Sequence, residues 1–187
     1  SSAQRHDSLR GVPGTFVRTL EAARAARRFR LPFQVNTLVS AETLDDLPAV
    51  HTLVNELGAS RWALFFLIPM GRGSELLPIL PKESEDLLHW LAALQEEGGA
   101  RIATVEAPQY RRILVERGHT LDASEVGIRD GNGIMFISRT GDVCPSGFLP
   151  CVAGNVCETD PVEIYRESSL FRGLRDPDRF AGRCGRC

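Results

Sequence analysis

The first 143 residues contain no cysteine. Lysine is nearly absent too: of the 22 basic residues only Lys82 is not an arginine. Aromatic residues make up 7% of the chain, and 22 basic side chains almost balance 24 acidic ones for a net charge of −2. Each scarcity excludes something. A chain whose first three quarters lack thiols is not built on a disulfide framework. A near-neutral balance provides no overall electrostatic footprint for nucleic acid, and the arginine excess reads as genome composition rather than as a phosphate-binding surface. The longest apolar run, Trp62 to Met70, falls well short of the ~20 residues that span a bilayer. No secretory signal pattern opens the chain. The expectation is a cytoplasmic protein with no membrane or nucleic-acid partner.

What the sequence has is concentrated at its other end. Cys144, Cys151, Cys157, Cys184 and Cys187 crowd a Gly/Pro-rich tail that closes on Arg-Cys-Gly-Arg-Cys. Thiols used as core filler would be scattered, so thiols gathered in loops point to a metal or iron–sulfur site. Cys184 and Cys187 have the Cys-x-x-Cys spacing that lets one turn of backbone supply two ligands. Cys144 is the expected third ligand, brought from a distant segment, with Cys151 or Cys157 as a fourth. Zinc uses the same spacing, and a redox dithiol is a third reading of the pair. An end on Cys187 and a start without methionine lead to the expectation that the site and the protein continue beyond this sequence.

Apolar periodicity organises the rest. Residues 15–29 read as a helix with Phe16, Leu20 and Ala23 on one face. Residues 31–39 read as a buried strand. Thr43 to Asp46 looks like a capping box, followed by a helix with Leu44, Leu47, Val50, Val54 and Leu57 at helical spacing and Gly58 as its stop. Trp62 to Ile68 is a second buried strand. Pro81 opens a helix striped by Leu87, Leu88, Leu91 and Leu94, and Arg101 to Val105 is a third strand. Buried strands alternating with amphipathic helices imply βαβ units and a parallel sheet, in number half of a closed barrel. After residue 118 the pattern changes. A hairpin turning near Thr140-Gly141 is expected, then a short helix over 161–168 and a polar, turn-rich segment over 170–183. The boundary is expected between about 118 and 130.

Ligands of parallel α/β proteins bind beyond the carboxyl ends of the strands. Asn36-Thr37 at the end of the first strand and Gly71-Arg72-Gly73 after the second are therefore candidates, by position. His6 and Asp7 in the opening loop read more simply as polar loop residues. Glu106, Tyr110, Arg111 and Arg112 follow the third strand, either facing a substrate or forming the solvated side of a helix.

His6-Asp7-x-x-Arg10-Gly11, the QVNTLVS strand, the TLDDLP helix and the FFLIPMGRG strand-loop resemble the second half of the barrel of radical S-adenosylmethionine (AdoMet) enzymes. GDVCPSGFLP, the Gly154-Asn155-Val156 turn, the EIYRESSLFRGLRDP segment and the final CGRC resemble the C-terminal SPASM or twitch extension of those enzymes. The resemblance implies an α/β chain with the second half of a partial (β/α)6 TIM-type barrel over 1–118. A truncated hairpin-plus-helix extension for an auxiliary cluster would occupy 119–187. It also implies AdoMet and [4Fe–4S] cofactors, and a 5′-deoxyadenosyl radical that abstracts hydrogen during peptide modification or haem-type cofactor biosynthesis. The implied partners are a peptide or tetrapyrrole substrate and an electron donor such as ferredoxin or flavodoxin. On this reading Asn36, Thr37, Pro69, Gly71 and Arg72 line the AdoMet pocket. Cys144, Cys184 and Cys187 hold the auxiliary cluster, and His6, Asp7, Glu106 and Tyr110 face substrate. The sequence departs from the family at three places. The CxxxCxxC loop of the AdoMet cluster is absent, no cysteine follows the final pair, and Ser146 follows Pro145 where relatives carry cysteine. Cys144 lies two residues earlier, on the same strand face. The competing reading is a non-catalytic α/β domain with a C-terminal structural zinc site.

Overall fold

A computed structural model describes residues 2–121, 129–179 and 181–183, without the side chain of Arg72. The chain divides into two compact units, Ser1–Leu121 and Asp122–Cys187.

In the first unit, α1 (Ala3–Arg10) and α2 (Thr15–Arg28) precede β1 (Gln34–Val39). Then follow α3 (Leu47–Leu57), β2 (Arg61–Phe66), α4 (Pro81–Glu97), β3 (Arg101–Val105) and α5 (Tyr110–Glu116). The three strands form one sheet in the order β1-β2-β3, and both pairings are parallel. The α/β alternation expected from the sequence is therefore present, with α3 and α4 as the crossovers.

Side-chain alternation assigns the two faces of the sheet. Trp62 and Leu64 of β2, Ile102 of β3 and Val39 of β1 share one core with Leu47 and Val54 of α3, Leu88 and Leu91 of α4 and Ile113 of α5. Burying each such aliphatic side chain contributes about 1.5–3 kcal/mol. The indole of Trp62 lies in this core at 0% exposure, edge-on to Trp90 at 6.3 Å and tilted to His51 at 5.5 Å. The leucine stripe of α4 is buried as expected, and Glu83 Oε2 accepts from the Leu80 backbone N–H at 2.7 Å to cap the helix start.

Four expectations are corrected. β1 is buried on one face only: the core with α3, α4 and α5 lies on one side of the sheet, and exposed Gln34 and Asn36 alternate with half-buried Val35 and Thr37. Thr43 does not cap α3: its hydroxyl donates to Leu38 O at 2.8 Å and accepts from the Ser40 N–H at 2.9 Å, so it fastens the loop after β1. His6 and Asp7 lie on a helix, α1, rather than in a loop. The segment after residue 168 begins with a further helix. It starts because the Ser168 hydroxyl accepts from the Phe171 N–H at 3.2 Å and Phe171 finds a core.

The second unit carries two-residue strands β4 (Arg129–Asp130) and β5 (Gly133–Ile134) before a small antiparallel sheet. That sheet consists of β6 (Phe136–Ile137), β7 (Asp142–Cys144) and β8 (Gly154–Asn155), with β7 in the centre. The expected hairpin is β6–β7. Helices α6 (Pro161–Glu167) and α7 (Ser169–Arg175) supply Ile164 and Phe171, which bury Val143 of β7.

Candidate functional site at the carboxyl edge of the sheet

Parallel pairing puts the carboxyl ends of all three strands on one edge. There Leu67 N–H continues the ladder to Val39 O at 3.0 Å. Three loops leave from this edge, after Val39, Phe66 and Val105. The first is held by the Thr43 clasp and by Ala41 N–H to Leu77 O at 2.9 Å. Glu42 Oε1 accepts from the Leu77 N–H at 3.1 Å, and hydrogen bonds from Ser40 and its own backbone together with this one hold the Glu42 carboxyl below the usual range. The second loop carries Pro69 and a short 3-10 turn over Gly71–Glu75, closed by the Ser74 hydroxyl on Gly71 O at 2.7 Å. Gly73 has no room for a side chain: a Cβ would lie 2.9 Å from the backbone oxygen of Ile68. The third loop starts at Glu106, an exposed non-glycine residue at φ +62°. Left-handed backbone at such a residue is uncommon and clusters at functional sites.

Pro69, Gly71 and Glu106 thus gather at one edge. Asn36 and Thr37 do not end their strand, since β1 runs on to Val39. Asn36 sits mid-strand on the face away from the helices, its Oδ1 accepting from Gln34 Nε2 at 2.6 Å. Thr37 points the other way, and its hydroxyl accepts from Trp62 Nε1 at 2.8 Å. Expecting both residues to line one pocket is therefore wrong by the two-residue period of the strand. Tyr110 is buried in the helix-side core at 4% exposure rather than facing a cleft. Arg112 is the solvated side of α5, paired with Glu85 at 2.6 Å and Glu116 at 2.9 Å.

The HDxxRG segment, the end of α1, has a local structural use. Gly11 ends α1 in the left-handed region, φ +67°, with its N–H on the carbonyls of Asp7 and Ser8. The chain then turns so that Asp7 accepts from Gly14 N–H at 2.6 Å, Phe16 N–H at 2.8 Å and the Thr15 hydroxyl at 2.8 Å. Asp7 thereby caps α2, and these bonds, that to Phe16 foremost, lower its carboxyl to about 2. His6 packs edge-on against Phe16 at 5.5 Å.

In the second unit Cys144 is buried on β7, facing away from the Val143 core. Burial, then the nearby charges of Asp142 and Cys151, push its thiol up. Cys151 and Cys157 are exposed, and a Cβ at Gly141 would stand 3.1 Å from Cys157 Sγ. Cys184, Cys187 and the side chain of Arg72 lie outside the described residues. Among the described residues no three His, Cys, Asp or Glu side chains gather as a metal ion requires, and no helix is long and apolar enough to cross a membrane.

The sheet face opposite the helices went unnoticed in the sequence. Leu38, Phe65 and Val105 stand in one row across β1, β2 and β3, Asn36, Ala63 and Ala103 in the next. The signal was the exposed polar alternation of Gln34 and Asn36.

No family model matches the chain. Curated relatives do. An AdoMet-dependent heme synthase of Methanosarcina barkeri is 37% identical over 100% of this chain and 57% of its own length. The protein of that name from Oleidesulfovibrio alaskensis is 34% identical over 100% of this chain and 51% of its own length. Among solved structures, Streptococcus suis SuiB bound to S-adenosylmethionine superposes with a TM-score of 0.61 at 17% identity, covering 89% of this chain and 40% of SuiB. SuiB bound to its precursor peptide SuiA gives 0.59 at 15% identity. The chain is similar to the AdoMet-dependent heme synthases along its whole length, and it spans about half of theirs.

Proposed function

We propose that the chain is the C-terminal part of a radical AdoMet enzyme of haem-type cofactor biosynthesis. Residues 1–118 form one side of a partial (β/α)6 barrel, and residues 119–187 begin a SPASM- or twitch-like auxiliary-cluster extension. The observation that carries the reading is whole-length homology to the heme synthases. The meeting of Pro69, Gly71 and Glu106 at one carboxyl edge supports it. A tetrapyrrole substrate is favoured over a peptide because the heme synthases are 33–37% identical, whereas SuiB is only 15–17% identical.

AdoMet and its [4Fe–4S] cluster, when bound, supply the hydrogen-abstracting radical chemistry. The chain's own residues position and enclose. Pro69, Gly71 and Arg72 form the rim of the AdoMet pocket, and the steric demand at Gly73 fixes the path of that loop. Asn36 presents its amide on the face away from the helices. Glu106 and His6 are the remaining candidates to face substrate; Asp7 acts through them by fixing the start of α2. Cys144, Cys184 and Cys187 hold the auxiliary cluster. A ferredoxin or flavodoxin supplies electrons, and exposed thiols at Cys151 and Cys157 suit a reducing cytoplasm.

Iron and sulfide content after anaerobic reconstitution of the full-length protein tests the ligand set. Cys144→Ala, Cys184→Ala and Cys187→Ala are each expected to lose about one cluster's worth of iron. Wild-type iron in all three would remove these cysteines from the site, and a colourless wild-type protein with stoichiometric zinc would favour the structural-zinc reading.

A further inference from the structure

On the helix side of the first unit, the starts of α3 and α4 leave an open groove of about 330 Å³ between them. Leu44, Leu47, Leu87 and Trp90 make it apolar, and Glu83 and Asp86 are its charged members. Asp45, next in the chain to Leu44, is exposed and forms no ion pair among the described residues. Lys82 reaches Asp86 at 2.9 Å, but both side chains are well exposed, and such a pair holds little energy. The groove is therefore apolar with an excess of negative charge.

The amino edge of the same unit carries the complement. α2 ends on Arg28, and the chain turns through Phe29, Arg30 and Leu31 on its way to β1. Phe29 is 67% exposed and Leu31 59%, and neither joins the core. Leu31 N–H donates to Ala26 O at 2.9 Å and Arg30 N–H to Arg27 O at 3.0 Å, so the turn is fixed. It holds Arg30 at φ +55°, left-handed backbone that glycine adopts freely and that costs other residues about 1–3 kcal/mol. The Arg28 guanidinium lies 5.5 Å from the centre of the Phe29 ring. Residues 15–31 hold five arginines against one acid, Glu21. Arg24, Arg28 and Arg30 form no ion pair among the described residues.

We propose that the Phe29–Arg30–Leu31 turn of one molecule docks in the α3–α4 groove of a second copy of this chain. Phe29 enters the apolar groove beside Trp90, and Arg28 and Arg30 meet the carboxylates of Glu83, Asp86 and Asp45. The groove has room for an aromatic and an aliphatic side chain, and the basic turn matches its charge. The turn precedes β1 and the groove begins after it, so the two stand a strand's length apart and no molecule fills its own groove. The contact is heterologous, each copy offering a turn at one end and a groove at the other. It is small, so the association is weak, with a Kd of roughly 10–100 µM. The inference goes beyond the proposed function and does not depend on it.

The test is sedimentation velocity of the full-length, anaerobically reconstituted protein, from roughly tenfold below to tenfold above that Kd. Wild type is expected to gain mass with concentration. Phe29→Asp removes the turn and Asp45→Arg/Asp86→Arg reverses the groove's charge, so each variant alone should stay monomeric. All three positions are exposed, and thermal melts like those of wild type are expected. Mixed in equal amounts, the two variants should form a dimer and nothing larger. The Phe29→Asp molecule keeps its groove, the other keeps its turn, and no further contact is left. Phe29→Ala, which adds no charge, should weaken association about tenfold and stands in if Phe29→Asp fails to fold. Wild type that is monomeric throughout would overturn the proposal, also if it binds phosphatidylglycerol vesicles through Phe29 instead. So would variants that associate as wild type does, or folded variants that stay apart when mixed.

Discussion

Trp62→Ala is expected to cost about 3–5 kcal/mol of stability, the range for removing a fully buried large aromatic side chain. Trp62 is at 0% exposure on the central strand of the sheet. Its ring meets His51 of α3 and Trp90 of α4, so one substitution opens a cavity between both crossover helices and the sheet. Against a total of ~5–15 kcal/mol for a domain, that is a large share. For a domain of 150–250 residues it corresponds to a fall in melting temperature of roughly 6–20 °C, and to about half of that in a chain twice as long. Trp62→Phe is the milder variant. It keeps most of the volume but deletes the indole N–H to the Thr37 hydroxyl and part of the ring, at a smaller expected cost of about 1–3 kcal/mol. Thermal melts of the full-length variants check both values. A shift under 2 °C for Trp62→Ala would contradict the packing described here.

The second large effect is expected at Phe171→Ala. The core of the second unit is small: among the described residues its buried cluster is Val143, Ile164 and Phe171, with the Tyr165 ring tilted against Phe171 at 5.1 Å between centroids. A small unit has little apolar surface to lose. Removing a fully buried phenylalanine again costs about 3–5 kcal/mol, which should unfold this unit while leaving the core around Trp62 intact. Val143 would then no longer fix β7, and Cys144 beside it would lose its position. The expected readout is rapid proteolysis confined to residues after 121, together with loss of one cluster's iron. Protease resistance equal to wild type would show that Phe171 does not hold the unit together.

The helices and strands of the first unit were legible because their apolar residues recur at the periods their environments demand. Leu87, Leu88, Leu91 and Leu94 are all buried, and Trp62 to Leu64 form a continuous buried stretch. What stayed hidden depended on partners distant in the chain. Thr37 looked like a polar strand end, but its hydroxyl is satisfied by an indole 25 residues away. Thr43 carries a capping residue's chemistry and uses it on the carbonyl of Leu38. Helix α1 has no buried residue and so no apolar stripe; its end is set by Gly11 and its use by the three hydrogen bonds that Asp7 accepts. Helix α7 rests on the single buried residue Phe171, too little for a period to show. At the candidate site, the loop positions Pro69 and Gly71 followed from where strands end, whereas the faces of Asn36 and Thr37 depended on register.

The central claim is that this chain forms one wall of an AdoMet-cleaving site. The most direct measurement is 5′-deoxyadenosine formed from AdoMet by the full-length, iron-loaded protein under strong reduction and without oxygen. The account predicts at least one equivalent of 5′-deoxyadenosine per protein. Intact AdoMet after prolonged incubation with reduced, cluster-replete protein would contradict it.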